Sequence, residues 1–312
     1  MTYASGGLIQ AADFNNLNGA SAGTQGGGTQ MNPVWSTGQG SYGYGQTAIG
    51  NVSVSGSVAA SDWATLINRL NTSRTHQSGS GSGISAPVAG GTVTFLSTLS
   101  SSISTAATTR LTTAYPAPST TALTKNIAIN VGASVQGTST VTWTITWSSA
   151  DQARYFFNAG GYIIVSSGSF TNTGGTSRGT SINTLCATNF ASKRINATTM
   201  GARTGAGGTL VTDTTGTGYY SFPTGATEYL RINSTSYYSG DYVTLNGNTN
   251  GTTGSYGANG TTMTISFFAL SATTGSTQPS DSINITQGMV CTAYYPPTAG
   301  GLSNTWGTVT VT

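Results

Sequence analysis

Charge is what this chain has least of: only 5% of its 312 residues are Asp, Glu, Lys or Arg, against about a quarter in an ordinary soluble domain. General acids and bases, metal ligands and phosphate clamps are built mainly from residues that are scarce here. There are ten Lys plus Arg, seven Asp plus Glu and one His. Catalysis, a resident cofactor and a metal centre are therefore not expected. The net charge of +3 is spread thinly, with Lys193-Arg194 the one adjacent basic pair, so the basic stripe that nucleic-acid binding needs is missing.

Long apolar runs are missing too, and none approaches the length of a membrane span. The opening residues, Met1 to Gln10, lack a charged stretch followed by an apolar one, so no secretory signal is expected. Cysteine is limited to Cys186 and Cys291, far apart in sequence, and two buried reduced thiols are the favoured reading. Five Asn-x-Ser/Thr sites, at Asn51, Asn71, Asn196, Asn233 and Asn284, are then accidents of composition.

What the chain does hold is Gly, Ser, Thr, Asn and enough apolar side chains, 36% of the total, to build a core rather than a disordered polymer. Residues 1–58 are Gly/Ser-rich, with a short helix expected around Ala11 to Leu17. Leu8, Ile9, Phe14, Leu17 and Trp35 are its apolar anchors. That is sparse, and the segment is expected to lie against a neighbouring subunit or another protein.

From residue 59 to 115 the period becomes helical. Trp63, Leu66, Ile67 and Leu70 fall at i, i+3, i+4 and i+7, with Ser61 as the expected N-cap and Asp62 in the first turn. Arg69, Arg74 and His76 gather near the far end, where the macrodipole favours cations. A Gly/Ser linker, residues 78–85, leads to a second stripe of Leu96, Leu99, Ile103, Ala106 or Ala107 and Leu111. These two stripes are the expected packing and assembly residues.

Beyond Tyr115 the period is two. Ile127, Ile129 and Val131 alternate with polar residues, as do Val141, Trp143, Ile145 and Trp147, and further runs cover residues 162–165, 229–232, 242–245, 263–270, 289–295 and 306–311. Many strands between Gly/Asn/Thr loops predict a mainly β fold, an antiparallel sandwich or jelly-roll-like domain over 116–312, as one unit or two subdomains. Only two lysines, Lys125 and Lys193, are available to protect strand edges. The edges must therefore be closed by the fold or covered in an oligomer, for which a trimer is favoured.

Three motifs invite chemistry. Gly38-Gln-Gly40-Ser-Tyr-Gly43 has the spacing of a dinucleotide loop but neither a preceding strand nor a following helix, so it reads as a chance match. Asp151 and Arg154 suit an ion pair on a short helical turn. Tyr237, Tyr238, Tyr242 and Tyr256, among small polar residues, are candidates for stacking on a sugar ring, but core or subunit-interface packing is the favoured reading for most of them.

The opening run Tyr3 to Asn15, the segments Trp63 to Asn71 and Thr75 to Gly79, and above all Ser149-Ala-Asp-Gln-Ala-Arg-Tyr-Phe-Phe-Asn-Ala-Gly-Gly161 resemble virion structural proteins of tailed phages, cyanophages among them. The resemblance touches the first half of the chain. It implies a non-enzymatic fibre, neck or adaptor subunit that docks on other virion proteins through residues 1–58 and projects its β part outward, with a host surface glycan as a further partner. A cytoplasmic origin beside an adhesin-like composition fits a virion protein released by lysis. A capsid decoration protein and a carbohydrate-binding adhesin are the alternatives.

Overall fold

The computed structural model describes residues 10–19, 30–38, 40–91, 93–235, 238–251, 260–272 and 281–312. The chain is mainly β. Among the described residues ten strands form two antiparallel sheets that enclose the core as a sandwich, and the helices that precede the first strand gather at one end.

Four helices precede the sheets: α1 (Ala11–Asn18), α2 (Met31–Trp35), α3 (Ala60–Ser78) and α4 (Leu96–Thr108). In α3 the predicted stripe is buried, but the cap is not the predicted one. The helix starts a residue before Ser61, and the Asp62 carboxylate accepts the Ala59 N–H at 2.8 Å. This places the acid in the third helical position, where it satisfies an orphan amide. Gly79, at φ 81°, closes the helix. The second stripe ends sooner than its spacing predicts, since Leu111 lies beyond α4.

The described part of the amino-terminal segment packs into the chain's own core. Phe14, Leu17, Met31, Val34 and Trp35 are buried in the same core as α3 and α4, and Phe14 meets Trp63 edge-on at 5.2 Å. Side-chain amides do the work that a strand partner would. Asn32 Nδ2 donates to the carbonyls of Gly19 and Ile49 while its Oδ1 accepts the Ile49 N–H at 2.8 Å. Asn15 grips Val52 through both its N–H and its C=O. The expectation that Phe14, Leu17 and Trp35 anchor onto another protein is corrected here, because their partner is the chain itself; Leu8 and Ile9 lie outside the described residues.

The strands are β1 (Thr120–Val131), β2 (Gly137–Thr146), β3 (Tyr162–Asn172), β4 (Ser192–Ile195), β5 (Thr209–Asp213), β6 (Thr227–Asn233), β7 (Tyr242–Thr249), β8 (Thr262–Ser271), β9 (Ile283–Tyr294) and β10 (Thr310–Val311). One sheet runs β1-β9-β3-β4 and the other β10-β2-β8-β7-β6-β5. Successive strands β1 and β2 lie in different sheets and pair with β9 and β8 in turn, so a two-stranded ribbon folds from one sheet across to the other. That winding is of the jelly-roll kind. Helix α5 (Ala150–Asn158) follows β2, with the Ser149 hydroxyl capping it. Helix α6 (Ser177–Asn183) continues into a π-helix, Thr184–Phe190, that packs on β3, β6 and β7.

The edge problem is solved within the chain on one side. Strand β1 has its free edge turned to β2, where Trp143 Nε1 donates to the Leu123 carbonyl at 3.1 Å, Ser139 Oγ accepts the Ala128 N–H, and Lys125 Nζ reaches the Thr142 carbonyl. The corner is tight enough that a Cβ on Gly137 would come within 2.3 Å of Ile129. At the opposite edge β5 stays open, with Leu210 and Val211 about half exposed.

Candidate functional site

The outer face of the six-stranded sheet is a regular surface, and strand pairing fixes its composition. Alternate residues of β2 turn outward as Thr138, Thr140, Thr142, Thr144 and Thr146, beside Leu270, Phe268, Ser266, Thr264 and Thr262 of β8 in the same order. Next come Tyr242, Thr244, Asn246 and Asn248 of β7, then Asn233, Arg231 and Glu228 of β6. The face is a field of hydroxyls and amides with an apolar block, Leu270, Phe268 and Tyr242, at one end. Its charges, Arg231 and Glu228, are a pair 3.8 Å apart.

Of the tyrosines proposed for sugar stacking, only Tyr238 and Tyr242 are described, and each has partners of its own. Tyr237 and Tyr256 lie outside the described residues. The Tyr238 hydroxyl donates to the Asp281 carboxylate at 3.2 Å. Tyr242 stands on the outer face, but the Arg231 guanidinium lies 3.9 Å over its ring and Phe268 sits beside it at 5.7 Å. One ring face is therefore already taken by a cation, which favours a structural part for Tyr242.

The helix stripes are wholly internal. Trp63, Leu66, Ile67, Leu70, Leu96, Leu99 and Ile103 are all buried in the chain's own core, so as folded they pack helix on helix and present nothing to a partner. Their continuation was legible in part. Carrying the same spacing past Leu70 reaches Ser73, His76 and Gln77, all buried. His76 is therefore not a helix-end cation but an interior imidazole.

Ionisable groups mostly serve the scaffold. Asp151 and Arg154 form the expected pair at 3.0 Å. Lys193, buried on β4, pairs with Asp213 at the end of β5 and so ties the two sheets together along this side. The Arg203 N–H donates to the second Asp213 oxygen at 3.2 Å. Arg178 on α6 is fully buried and donates to the carbonyls of Gly132, Val135, Ser271, Ala272 and Asp281 and to the Ser271 hydroxyl. Near it, Asp241 accepts the Ala272 N–H at 2.8 Å, and burial pushes its carboxyl up to about 6. Neither Arg178 nor Asp241 lies in a stripe or motif, and no local pattern announces them.

The Gly38, Gly40 and Gly43 spacing has a conformational cause. All three residues have positive φ, and a Cβ on Gly43 would come within 2.4 Å of the Thr37 carbonyl. Helix α2 precedes this loop and no helix follows until α3, which is not a phosphate-binding arrangement. Among the described residues no three His, Cys, Asp or Glu side chains gather as a metal ion would require. No described helix is long and apolar enough to cross a membrane.

Cys186, in the π-helix, and Cys291, on β9, are both free and buried, and burial pushes each thiol up to about 12. Thiolates are the reactive form, so both should be inert until the protein unfolds. Thiol labelling without reductant is expected to add nothing to the native chain and two labels to the denatured one. Rapid native labelling would contradict the burial, and an unlabelled denatured chain would reveal a disulfide.

No family model matches this chain, and no curated protein or solved structure is significantly similar to it.

Proposed function

We propose that this chain is a non-enzymatic structural protein of a tailed-phage virion, a fibre or adaptor subunit that works as a trimer and carries contact with the host surface on its β part. The observation that carries the reading is the outer face of the six-stranded sheet. It is long, regular and nearly uncharged, with hydroxyl and amide groups in rows. Such a face meets neutral surfaces, a neighbouring subunit or a glycan, without the cost of desolvating ions. The resemblance of Ser149 to Gly161 to phage structural proteins supports the same reading. In the fold this run forms α5 and the turn into β3, a scaffold element at the helical end of the sandwich.

Locating the protein in whole virions by cryo-electron microscopy tests the proposal. Density on the tail or neck in multiples of three supports it, an icosahedral array makes the chain a decoration protein, and absence from the particle rejects both. The contact mechanism makes a separate prediction. Adsorption of the full chain to host cells should change little as salt rises, because screening acts on exposed charge pairs and leaves neutral contacts in place. Thr140→Lys with Thr142→Lys, at exposed positions of β2, should weaken adsorption while leaving stability within about 0.5 kcal/mol. Adsorption that collapses with salt, or that ignores the two lysines, would reject this face as the contact.

A further inference from the structure

His76 is the chain's one histidine, and it sits where four parts of the molecule meet. It is fully buried near the carboxy end of α3. From the amino-terminal segment, the Tyr44 ring meets the imidazole edge-on at 5.5 Å. From the carboxy-terminal tail, Gly300 packs so closely that a Cβ there would come within 2.4 Å of the His76 Cα. The His76 carbonyl accepts the Ala114 N–H at 2.9 Å, and the Ala159 backbone, just past α5, lies beside the ring. The tail is then tied back to the amino-terminal segment. Gln46 donates to the Ser303 carbonyl and accepts the Ser303 N–H, at 2.9 and 3.1 Å, and the Thr305 hydroxyl donates to the Tyr44 carbonyl at 2.6 Å.

We propose that His76 is an acid-sensitive latch whose protonation releases the carboxy-terminal tail, residues 298–305, from α3 and the amino-terminal segment. Beside the Ala159 backbone, the joint offers little to receive an imidazolium. Neither ring nitrogen meets a partner at normal hydrogen-bond geometry. The charged side chains on the surrounding elements are mostly cations, and each is committed elsewhere. Arg74 on α3 binds Gln77 and Thr109. Arg110, past α4, binds Ser41 and the Ala107 carbonyl. Arg154 on α5 binds the Thr37 carbonyl and Asp151, whose carboxylate is itself more than half exposed. The Tyr44 hydroxyl is held between Gln77 and the Arg110 carbonyl, and burial raises its pKa further above the ordinary range. The tail, Thr298 to Thr305, has no charged residue. It is held by packing and by the Gln46 and Thr305 bonds, and Gly300 lies directly against the backbone and Cβ of His76, so a shift of His76 is passed straight to the tail.

Burial lowers the His76 pKa to about 4, against a small opposing influence from the Ala159 backbone. A folded value below the unfolded one means that the closed joint is fully favoured above the ordinary histidine value of about 6.5. That advantage is lost as pH falls through the window down to about 4.

Hydrogen exchange on the full chain, corrected for intrinsic rates, decides the matter. Protection of residues 298–305 should fall by up to roughly tenfold per pH unit below about 6.5, while β8 in the sandwich core stays protected. His76→Gln, neutral at every pH, should keep the tail protected in acid. Gly300→Ala should expose the same segment at neutral pH by steric force alone. The latch is refuted if the wild-type tail keeps its protection in acid, if the Gln variant opens at the same pH, if the Ala variant leaves the tail closed, or if β8 loses protection in step with the tail. The wild-type series by itself remains decisive should either variant fail to fold.

Discussion

Leu66→Asp combined with Leu70→Asp is expected to abolish the folded helical region altogether. Both leucines are fully buried on α3, between the amino-terminal segment and α4. Removing each from the core forfeits roughly 1.5 to 3 kcal/mol of apolar burial. Each carboxylate put in its place lacks a cation, and an unpaired buried charge costs several kcal/mol more. Against a total stability of about 5 to 15 kcal/mol, the pair exceeds what the fold can absorb. Far-UV circular dichroism should show lost helix, and tryptophan emission should move to the red as Trp35 and Trp63 become wet. The milder Leu70→Ala should stay folded but lose about 2 to 5 kcal/mol in urea denaturation. If the double variant kept the wild-type urea midpoint and lost only oligomer mass in light scattering, the stripe would be a subunit interface and the internal packing described above would be wrong.

The stripe also shows what periodicity can and cannot reveal. Spacing of apolar residues places α3, α4 and the long strands, because burial of one face selects a period of 3.6 or of two. Strands β4 and β5 escaped because each is short and neither alternates cleanly. Lys193 is buried and Leu210 and Val211 are exposed, against the hydrophobic rule. Helix α6 and the π-helix escaped because their sequence, Thr176 to Phe190, is full of Ser, Thr and Asn, which are poor helix formers. Tertiary packing on β3, β6 and β7 overrides that preference. The amino-terminal segment misled in the opposite direction. Few apolar residues implied an outside partner, whereas Asn15, Asn18 and Asn32 satisfy the backbone of residues 49–52 and complete the fold internally.

Functional residues were less legible than fold. The candidate tyrosines rested on composition, and composition does not say that a guanidinium lies across the ring of Tyr242. The regular Thr and Asn face, in contrast, was present in the alternation of β2 from the start. Its significance depended on which strands pair, and β2 with β8 joins residues more than a hundred positions apart.

Arg178→Ala should produce the largest loss among the polar substitutions, about 3 to 5 kcal/mol, by analogy with breaking a buried charged network. The guanidinium, on α6, closes the end of the sandwich formed by the β1–β2 turn and the end of β8. Its Nη2 donates to the Val135 carbonyl at 2.6 Å, in the β1–β2 turn, and its Nε to the Ser271 hydroxyl at 2.8 Å, at the end of β8. Its remaining donors reach Gly132, Asp281, Ala272 and the Ser271 carbonyl. Removing it strands acceptors on three separate segments at once, around a guanidinium that is itself fully buried. Asp241, whose burial already disfavours its charged form, loses the nearby cation as well, so its carboxyl should titrate higher still. Arg178→Lys should recover little, because an ammonium is a point charge and cannot reproduce the planar fork that reaches both strands and turn. Urea denaturation at neutral pH measures the loss, and hydrogen exchange locates it, with residues 132–135 and 271–272 exposed before the helical end. A lysine variant within about 0.5 kcal/mol of wild type would show that the charge alone suffices and that the fork geometry is incidental.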